Sequence, residues 1–282
     1  MSRGLLAIAH VRGIHPPWDV TPSEASLLPP PEYTGAIEPR RAGQTLERVR
    51  RKKHGLNKLT PPDMKRIEAM TDVAMAQTDR ALSNLIDTLR KANLWNDTLF
   101  IVTSDVAVPL DPTGQILPFA EVPEMSERAL RVPLYVHFPG GDLAGRRVDV
   151  PTMTVDLTRT TLAALGIDAP GRVGGMDLHA LVERGALPIE RPSEATLPDR
   201  WASRWADLRL FAKEGAPPQL CDLKTDPACE KDIREQLPNT TLQLWRWTYD
   251  YEFLGRDPSK RLTREPATID ADTAAALGVW GK

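Results

Sequence analysis

The arrangement of apolar and polar positions predicts that buried strands and amphipathic helices alternate over the first two thirds of the chain. Residues 5–11 form an apolar run that ends before Gly13 and Pro16, which is typical of a short buried strand. Residues 98–103 and 132–138 are also rich in β-branched and aromatic side chains, and they predict two further strands.

Two helices are predicted between these strands and after them. Thr60 is a good N-cap ahead of two prolines, and apolar residues then recur at helical spacing as far as Lys91. Asp156 begins a second helix, which ends at Gly166. A long helix followed by a fully apolar strand is typical of an α/β unit. We therefore expect a parallel-rich mixed sheet flanked by helices.

The pattern changes after about residue 190, where short alternating runs are separated by turn residues. These runs predict a small C-terminal antiparallel subdomain, and residues 240–253 predict a helix that closes it. We expect an α/β core over residues 1–190 and the subdomain over residues 191–282. Four tryptophans are expected to fill its core: Trp201, Trp205, Trp245 and Trp247.

Composition narrows the class of protein. The 282 residues include 36 Lys and Arg against 38 Asp and Glu, a formal net charge of −2, which argues against nucleic acid or an anionic membrane as the main partner. A basic run between residues 40 and 53 is therefore interpreted as a solvated helix face. No apolar run approaches the roughly 20 residues that cross a bilayer, and residues 5–9 are too short for a signal-peptide core.

Two strand ends carry groups suited to chemistry. His15 follows the first predicted strand and precedes a proline, and Asp105 follows the strand over residues 98–103. Ligands bind at the carboxyl ends of strands in open α/β sheets. A histidine that donates to an anionic oxygen and an aspartate that binds a hard cation are parts of an ester-hydrolysing site, although each also fits an ordinary loop corner or cap.

The order of several motifs resembles the C-terminal part of a sulfatase, in the alkaline phosphatase superfamily. The resemblance covers nearly the whole chain and rests on His15-Pro16-Pro17-Trp18, Asn96-Asp97-Thr98-Leu99 before Thr103-Ser104-Asp105, Glu127 before Arg131-Val132-Pro133-Leu134, Asp156 to Thr160, Gly175-Met176-Asp177-Leu178, and Leu220-Cys221-Asp222-Leu223 before Thr225-Asp226-Pro227.

The resemblance implies an alkaline phosphatase-like fold and hydrolysis of the sulfate ester of a small molecule or glycan. It implies that His15 is catalytic and contacts the substrate, and that Asp105 is a ligand of Ca²⁺ or Mg²⁺. It also implies an extracytoplasmic location. In that setting Cys221 and Cys229 could form a local disulfide, and two buried free thiols are the open alternative.

The chain departs from the family pattern at the site itself. It lacks the Cys/Ser-x-Pro-x-Arg motif that generates the formylglycine nucleophile, and Val106 stands where the family has Asn or His. No lysine occurs between Val106 and Pro139, so Arg128 is the candidate cation for the sulfate oxygens. We therefore expect the isolated chain to be inactive and to need a missing N-terminal half. The alternative is a non-catalytic binding protein on a degenerate sulfatase scaffold.

The remaining histidines lack ligand spacing to one another. His10, His54, His137 and His179 are therefore interpreted as structural side chains rather than as metal ligands.

Overall fold

The structure is a computed structural model. It describes residues 4–11, 18, 20, 21, 24, 28, 32–35, 37, 59–105, 107, 125–170, 174–185 and 192–249. The basic run over residues 40–53 and the C-terminal residues 250–282 lie outside this part of the chain.

Helix α1 spans Pro61–Lys91 and confirms the longest predicted helix. Thr60 and Asp63 form a reciprocal cap, because the Thr60 hydroxyl accepts from the Asp63 N–H and the Asp63 carboxylate accepts from the Thr60 N–H at 2.8 Å. The buried face of α1 packs in a cluster that contains Trp18, Val20, Leu28, Ile37, Ile67, Met70 and Ala74.

The cap of α1 also holds a buried polar contact. The Tyr33 hydroxyl donates to the Asp63 carboxylate. Burial is the larger cause and this hydrogen bond the second cause that raise the pKa of Tyr33 to about 12. Burial alone would raise the pKa of Asp63, but hydrogen bonds from Tyr33 and Thr60 outweigh it and lower that pKa. The N-terminus of α1 is therefore attached to the segment around residue 33.

Strands β1, Phe100–Thr103, and β2, Leu134–His137, lie within the predicted runs, but they pair antiparallel. All strand pairs in the described ranges are antiparallel, so the expected parallel-rich sheet is not found there. The reason lies in the connections. Helix α1 precedes both strands instead of linking them, and the described part of the β1–β2 connection contains only the short helix α2, Glu127–Leu130. A parallel pair needs a crossover, so α1 could not determine the direction of this pairing.

The first apolar run does not form the buried strand that was predicted for it. Residues 4–11 form no strand and are exposed, with 88% exposure at Leu5 and 87% at Ile8. A Cβ added at Gly4 would lie 2.7 Å from the Leu165 side chain, so the run begins beside the end of a later helix. Apolar composition buries a strand only where neighbouring strands cover it, and no described strand pairs with this run.

The helix predicted at Asp156 is confirmed as α3, Val155–Ala164, and α4 spans Leu178–Arg184. Asp156 is fully buried, and its carboxylate accepts the N–H groups of Met153 and Met176, each at 2.8 Å. This aspartate therefore joins the start of α3 to the loop that leads into α4.

The C-terminal strands confirm the predicted antiparallel unit and add a strand that the pattern did not show. They form a four-stranded meander in sequence order: β3, Ser193–Leu197; β4, Arg200–Trp205; β5, Leu208–Lys213; and β6, Gln219–Asp222. The closing helix, α5, spans Pro238–Tyr249. The domain boundary near residue 190 stays a prediction.

Helix α5 covers one face of this sheet. Leu244 of α5 packs with Trp201, Leu210 and Leu220, and Trp245 packs against the same cluster. The predicted tryptophan core is therefore half right, because Trp205 and Trp247 are 39% and 42% exposed, respectively.

A disulfide joins Cys221 to Cys229, which decides between the two alternatives for these cysteines. Cys221 lies on β6 and is fully buried, and the bond attaches this strand to the turn that follows it.

Helix α1 and the other described helices include none that is both long and apolar enough to cross a membrane.

Candidate functional site

Asp105 lies just beyond the carboxyl end of β1. The strand begins after a 3-10 turn, Trp95–Asp97, and its last residue, Thr103, donates its hydroxyl to the Pro133 carbonyl oxygen at 2.9 Å. This bond joins the end of β1 to the chain entering β2. The Asp105 side chain is 74% exposed, so it can be reached from solvent.

The nearest imidazole to Asp105 in the described chain belongs to His10. The His10 Nε2 lies 3.6 Å from Asp105 Oδ2, and its side chain is 73% exposed. The end of the first apolar run and the end of β1 therefore lie together, although the run itself forms no strand. The interpretation of His10 as a structural histidine stays a prediction, although its side chain is exposed beside a carboxylate.

The sequence favoured His15 over His10 as the candidate histidine, because His15 follows the first apolar run and precedes a proline. A signal was present, since His10 lies near the end of the first apolar run and Asp105 follows the run over residues 98–103. What the sequence could not show is that the two runs come together in space.

The side chains of the other two predicted site residues, His15 and Arg128, lie outside the described part of the structure. His15 and Val106 lie outside the described residues. Arg128 is the second residue of α2, but its side chain is outside the described part of the structure. The roles of His15 and Arg128 therefore stay predictions.

The residues around Asp105 do not by themselves fit a hard cation. Ca²⁺ and Mg²⁺ take about six oxygen ligands or more, whereas one carboxylate and one imidazole meet here. Among the described residues no group of three or more His, Cys, Asp or Glu side chains could hold a metal ion. Asp105 could contribute one ligand to a site that other residues complete.

Two further histidines have structural contacts. His137 stacks on Trp95, with ring centroids 3.9 Å apart, and its Nε2 lies 3.2 Å from the Trp95 carbonyl oxygen. His179 Nε2 lies 2.7 Å from Asp142 Oδ2, and this hydrogen bond raises the pKa of His179 and lowers that of Asp142. These contacts agree with the prediction that both side chains are structural.

Comparison of the chain with known proteins identifies its family. The sulfatase family model matches residues 6–167, which is more than half of the chain. The chain is 25% identical to arylsulfatase K of Danio rerio over 203 residues, covering 66% of this chain and 37% of the relative. It is 26% identical to arylsulfatase K of Mus musculus over 210 residues, covering 68% of this chain and 37% of the relative. The chain thus spans a little over a third of the length of these relatives.

Solved structures show the same fold. BT4656, solved in complex with its substrate D-glucosamine-2-N,6-O-disulfate, matches with a TM-score of 0.57 and 20% identity, covering 79% of this chain and 47% of that one. The phosphonate monoester hydrolase of Agrobacterium radiobacter matches with a TM-score of 0.53 and 22% identity, covering 67% and 42%. This similarity establishes an alkaline phosphatase-like α/β fold. With the family match over residues 6–167, it shows that the chain belongs to the sulfatase family of the alkaline phosphatase superfamily.

Proposed function

We propose that this chain forms part of the active site of a sulfate-ester hydrolase. In this proposal Asp105 is a cation ligand, His15 is catalytic and lies on the substrate side, and Arg128 contacts the anionic sulfate oxygens. The observation that carries the proposal is the 3.6 Å approach of His10 to Asp105, because it brings the first apolar run to the end of β1. The substrate class we propose is a sulfated glycan or small molecule, the chemistry named for BT4656.

The proposed residues have complementary chemistry. A sulfate monoester carries its negative charge on the non-bridging oxygens, which a guanidinium can bind through two N–H groups at once. An imidazole can donate to an ester oxygen and can also carry a proton near neutral pH. His15 and Arg128 therefore bind and orient the ester in this proposal, and the nucleophile comes from outside this chain.

We further propose that the isolated chain does not hydrolyse sulfate esters. The sequence contains no Cys/Ser-x-Pro-x-Arg motif, and the relatives it matches are much longer. Activity would then require a polypeptide segment that carries the nucleophile and the remaining cation ligands.

The test compares the chain alone with a joined protein, in which the chain is fused to a segment that contains the Cys/Ser-x-Pro-x-Arg motif. This segment is to be sought in the DNA around the coding sequence of the chain. With 4-nitrophenyl sulfate we expect no turnover by the chain alone. In the joined protein His15→Ala and Asp105→Asn should each lower kcat by about 10²-fold or more. His179→Gln, on helix α4, is the control because its side chain contacts Asp142 and not Asp105, and it should keep kcat. Turnover by the chain alone, unaffected by either substitution, would contradict the proposal.

A second candidate function is supported by particular residues. The Val106 side chain cannot ligate a cation, and the stretch from Val106 to Pro139 has no lysine, as expected for a binding protein that kept the scaffold. Calcium separates the two functions, because a complete site binds metal in the folded state and raises the Tm. A joined protein that shows neither a calcium-dependent Tm shift nor turnover would favour the binding protein.

We also propose an extracytoplasmic location. Its support is the Cys221–Cys229 disulfide, because such bonds form and persist in oxidising compartments.

A further inference from the structure

The face of the C-terminal sheet that α5 does not cover carries two arginines that contact residues outside the subdomain. Arg204 of β4 and Arg209 of β5 are directly opposite each other, so their side chains lie on one face. Helix α5 covers the other face, through the cluster that includes Leu210 and Leu244. The two guanidiniums are therefore available to the segment that packs on the sheet from the opposite side.

That segment is the start of helix α2. Arg209 donates an Nη2 hydrogen bond to the Met125 carbonyl oxygen, and Arg204 donates an Nη1 hydrogen bond to the Glu127 carboxylate. Ser126, between these two contacts, caps α2 by accepting from the Ala129 N–H at 3.3 Å. Met125, Ser126 and Glu127 are thus each held by a separate interaction.

Burial makes these contacts costly to lose. Arg209 is 5% exposed and Met125 is 4% exposed, with a positive φ of 68°. A buried guanidinium is stable only with a nearby anion, and Glu127 is the carboxylate whose charge favours the charged form of Arg209. Glu127 is therefore shared by Arg204 and Arg209.

We propose that Arg204 and Arg209 are positioning residues: through Met125 and Glu127 they fix helix α2, and with it the backbone of Arg128, on the C-terminal sheet. This inference rests on the proposed function, in which Arg128 binds the sulfate oxygens. It gives the C-terminal subdomain a role in binding, although the subdomain lies far along the chain from Asp105.

The first test measures amide hydrogen exchange of α2 in the full chain. The N–H groups of Ala129, Leu130 and Arg131 bond to the Ser126 or Glu127 carbonyl oxygens, so they report on this helix. Glu127→Gln and Arg204→Met should raise their exchange rates by about tenfold. The Thr241 amide of α5 should keep its rate, which excludes global unfolding.

The matched control is Arg234→Met. Arg234 also donates to one backbone carbonyl, of Pro218, and pairs with one carboxylate, of Asp232, but it lies outside the contacts to α2. It should leave exchange in α2 unchanged. Unchanged α2 exchange in both Glu127→Gln and Arg204→Met would overturn the proposal.

The second test measures binding of inorganic sulfate by calorimetry. Glu127→Gln removes a negative charge beside Arg128, so simple electrostatics would strengthen sulfate binding. A positioning role predicts the opposite, a Kd raised by about fivefold, close to the effect of Arg128→Ala. Equal or tighter sulfate binding by Glu127→Gln would overturn the positioning role, even if α2 exchange rises.

The two proposals fail in different ways. If Arg128→Ala binds sulfate as well as the unmodified chain, the proposed substrate role of Arg128 is wrong, and the positioning role falls with it. If Arg128→Ala loses binding while Glu127→Gln keeps it, the proposed function stands and only the positioning inference is overturned.

Discussion

Glu194 of β3 lies directly opposite Ser203 of β4 and accepts a hydrogen bond from its hydroxyl at 2.9 Å. Thr248 of α5 also bonds to this carboxylate, while the second oxygen, Oε2, is buried and has no hydrogen-bond partner among the described residues. The Glu194 N–H points to Met153 Sδ at 3.3 Å, so the residue joins the sheet, α5 and the loop before α3. Burial raises the pKa of Glu194 to about 7, although the two hydroxyl hydrogen bonds oppose the shift.

This raised pKa predicts an unusual pH dependence of stability. An acid with a higher pKa in the folded state binds more protons when folded, so the free energy of unfolding should fall as pH rises from the unfolded value of 4.5 to about 7. Glu194→Gln keeps an acceptor for Ser203 and removes the charge. It should raise stability above pH 7 by about 1–3 kcal/mol and remove most of this slope, as measured by urea unfolding. An unchanged slope in Glu194→Gln would contradict the assignment.

The contact between His179 and Asp142 predicts a smaller pH-dependent contribution to the free energy of unfolding, over a different pH range. The Asp142 hydrogen bond raises the pKa of His179 above 6.5, so its contribution is complete below that value and is lost as pH rises through the folded pKa. The lowered pKa of Asp142 means that its own contribution is lost as pH falls below 3.8. We expect His179→Gln to lower the free energy of unfolding slightly at pH 5.5 and less at pH 8.5, because both side chains are partly exposed.

A double-mutant cycle separates this pair from other effects of the substitutions. Asp142→Asn combined with His179→Gln should cost little more than either change alone, because both remove the same interaction. Additive costs at pH 5.5 would show that the pair does not stabilise the fold.

Gly175 and Gly185 form a matched pair for backbone strain. Gly175 has a φ of 89°, and a Cβ there would lie 2.5 Å from the Val155 carbonyl oxygen. Gly185 has a φ of 67° at the end of α4, with nothing within 4 Å of its added Cβ. Gly185→Ala should therefore lower the free energy of unfolding by about 1 kcal/mol. Gly175→Ala should lower it by about 2–4 kcal/mol, since the Gly175 substitution adds a clash to the conformational cost. Equal costs in thermal unfolding would rule out the clash.

The Cys221–Cys229 disulfide predicts two measurable results. Unfolded, unreduced protein should show no free thiols in an Ellman assay, and reduced protein should show two. Replacing both cysteines by alanine should cost about 2–3 kcal/mol by the loop-entropy relation for a short loop. Reducing agent should lower the Tm of the unmodified protein and leave that of the double variant unchanged. Free thiols in the unreduced protein would contradict the disulfide and remove the support for an extracytoplasmic location.

Local signals in the sequence determined several elements. The Thr60 cap and the helical spacing after it determine α1, because capping and amphipathic periodicity are short-range properties. Short alternating runs separated by turn residues determine the antiparallel pairing of β4 and β5. The connection between these two strands is too short for the crossover that a parallel pair needs. The family resemblance likewise rested on short motifs in a fixed order.

Tertiary structure decided what these local signals leave open. The antiparallel pairing of β1 with β2 and the exposure of residues 4–11 depend on which segments become neighbours, and residue pattern does not encode this. The approach of His10 to Asp105 and the contact of Arg209 with Met125 join residues that are distant in sequence. The sequence by itself therefore determined the family and most secondary structure, while the folded chain alone decided which side chains meet, because such contacts depend on long-range packing.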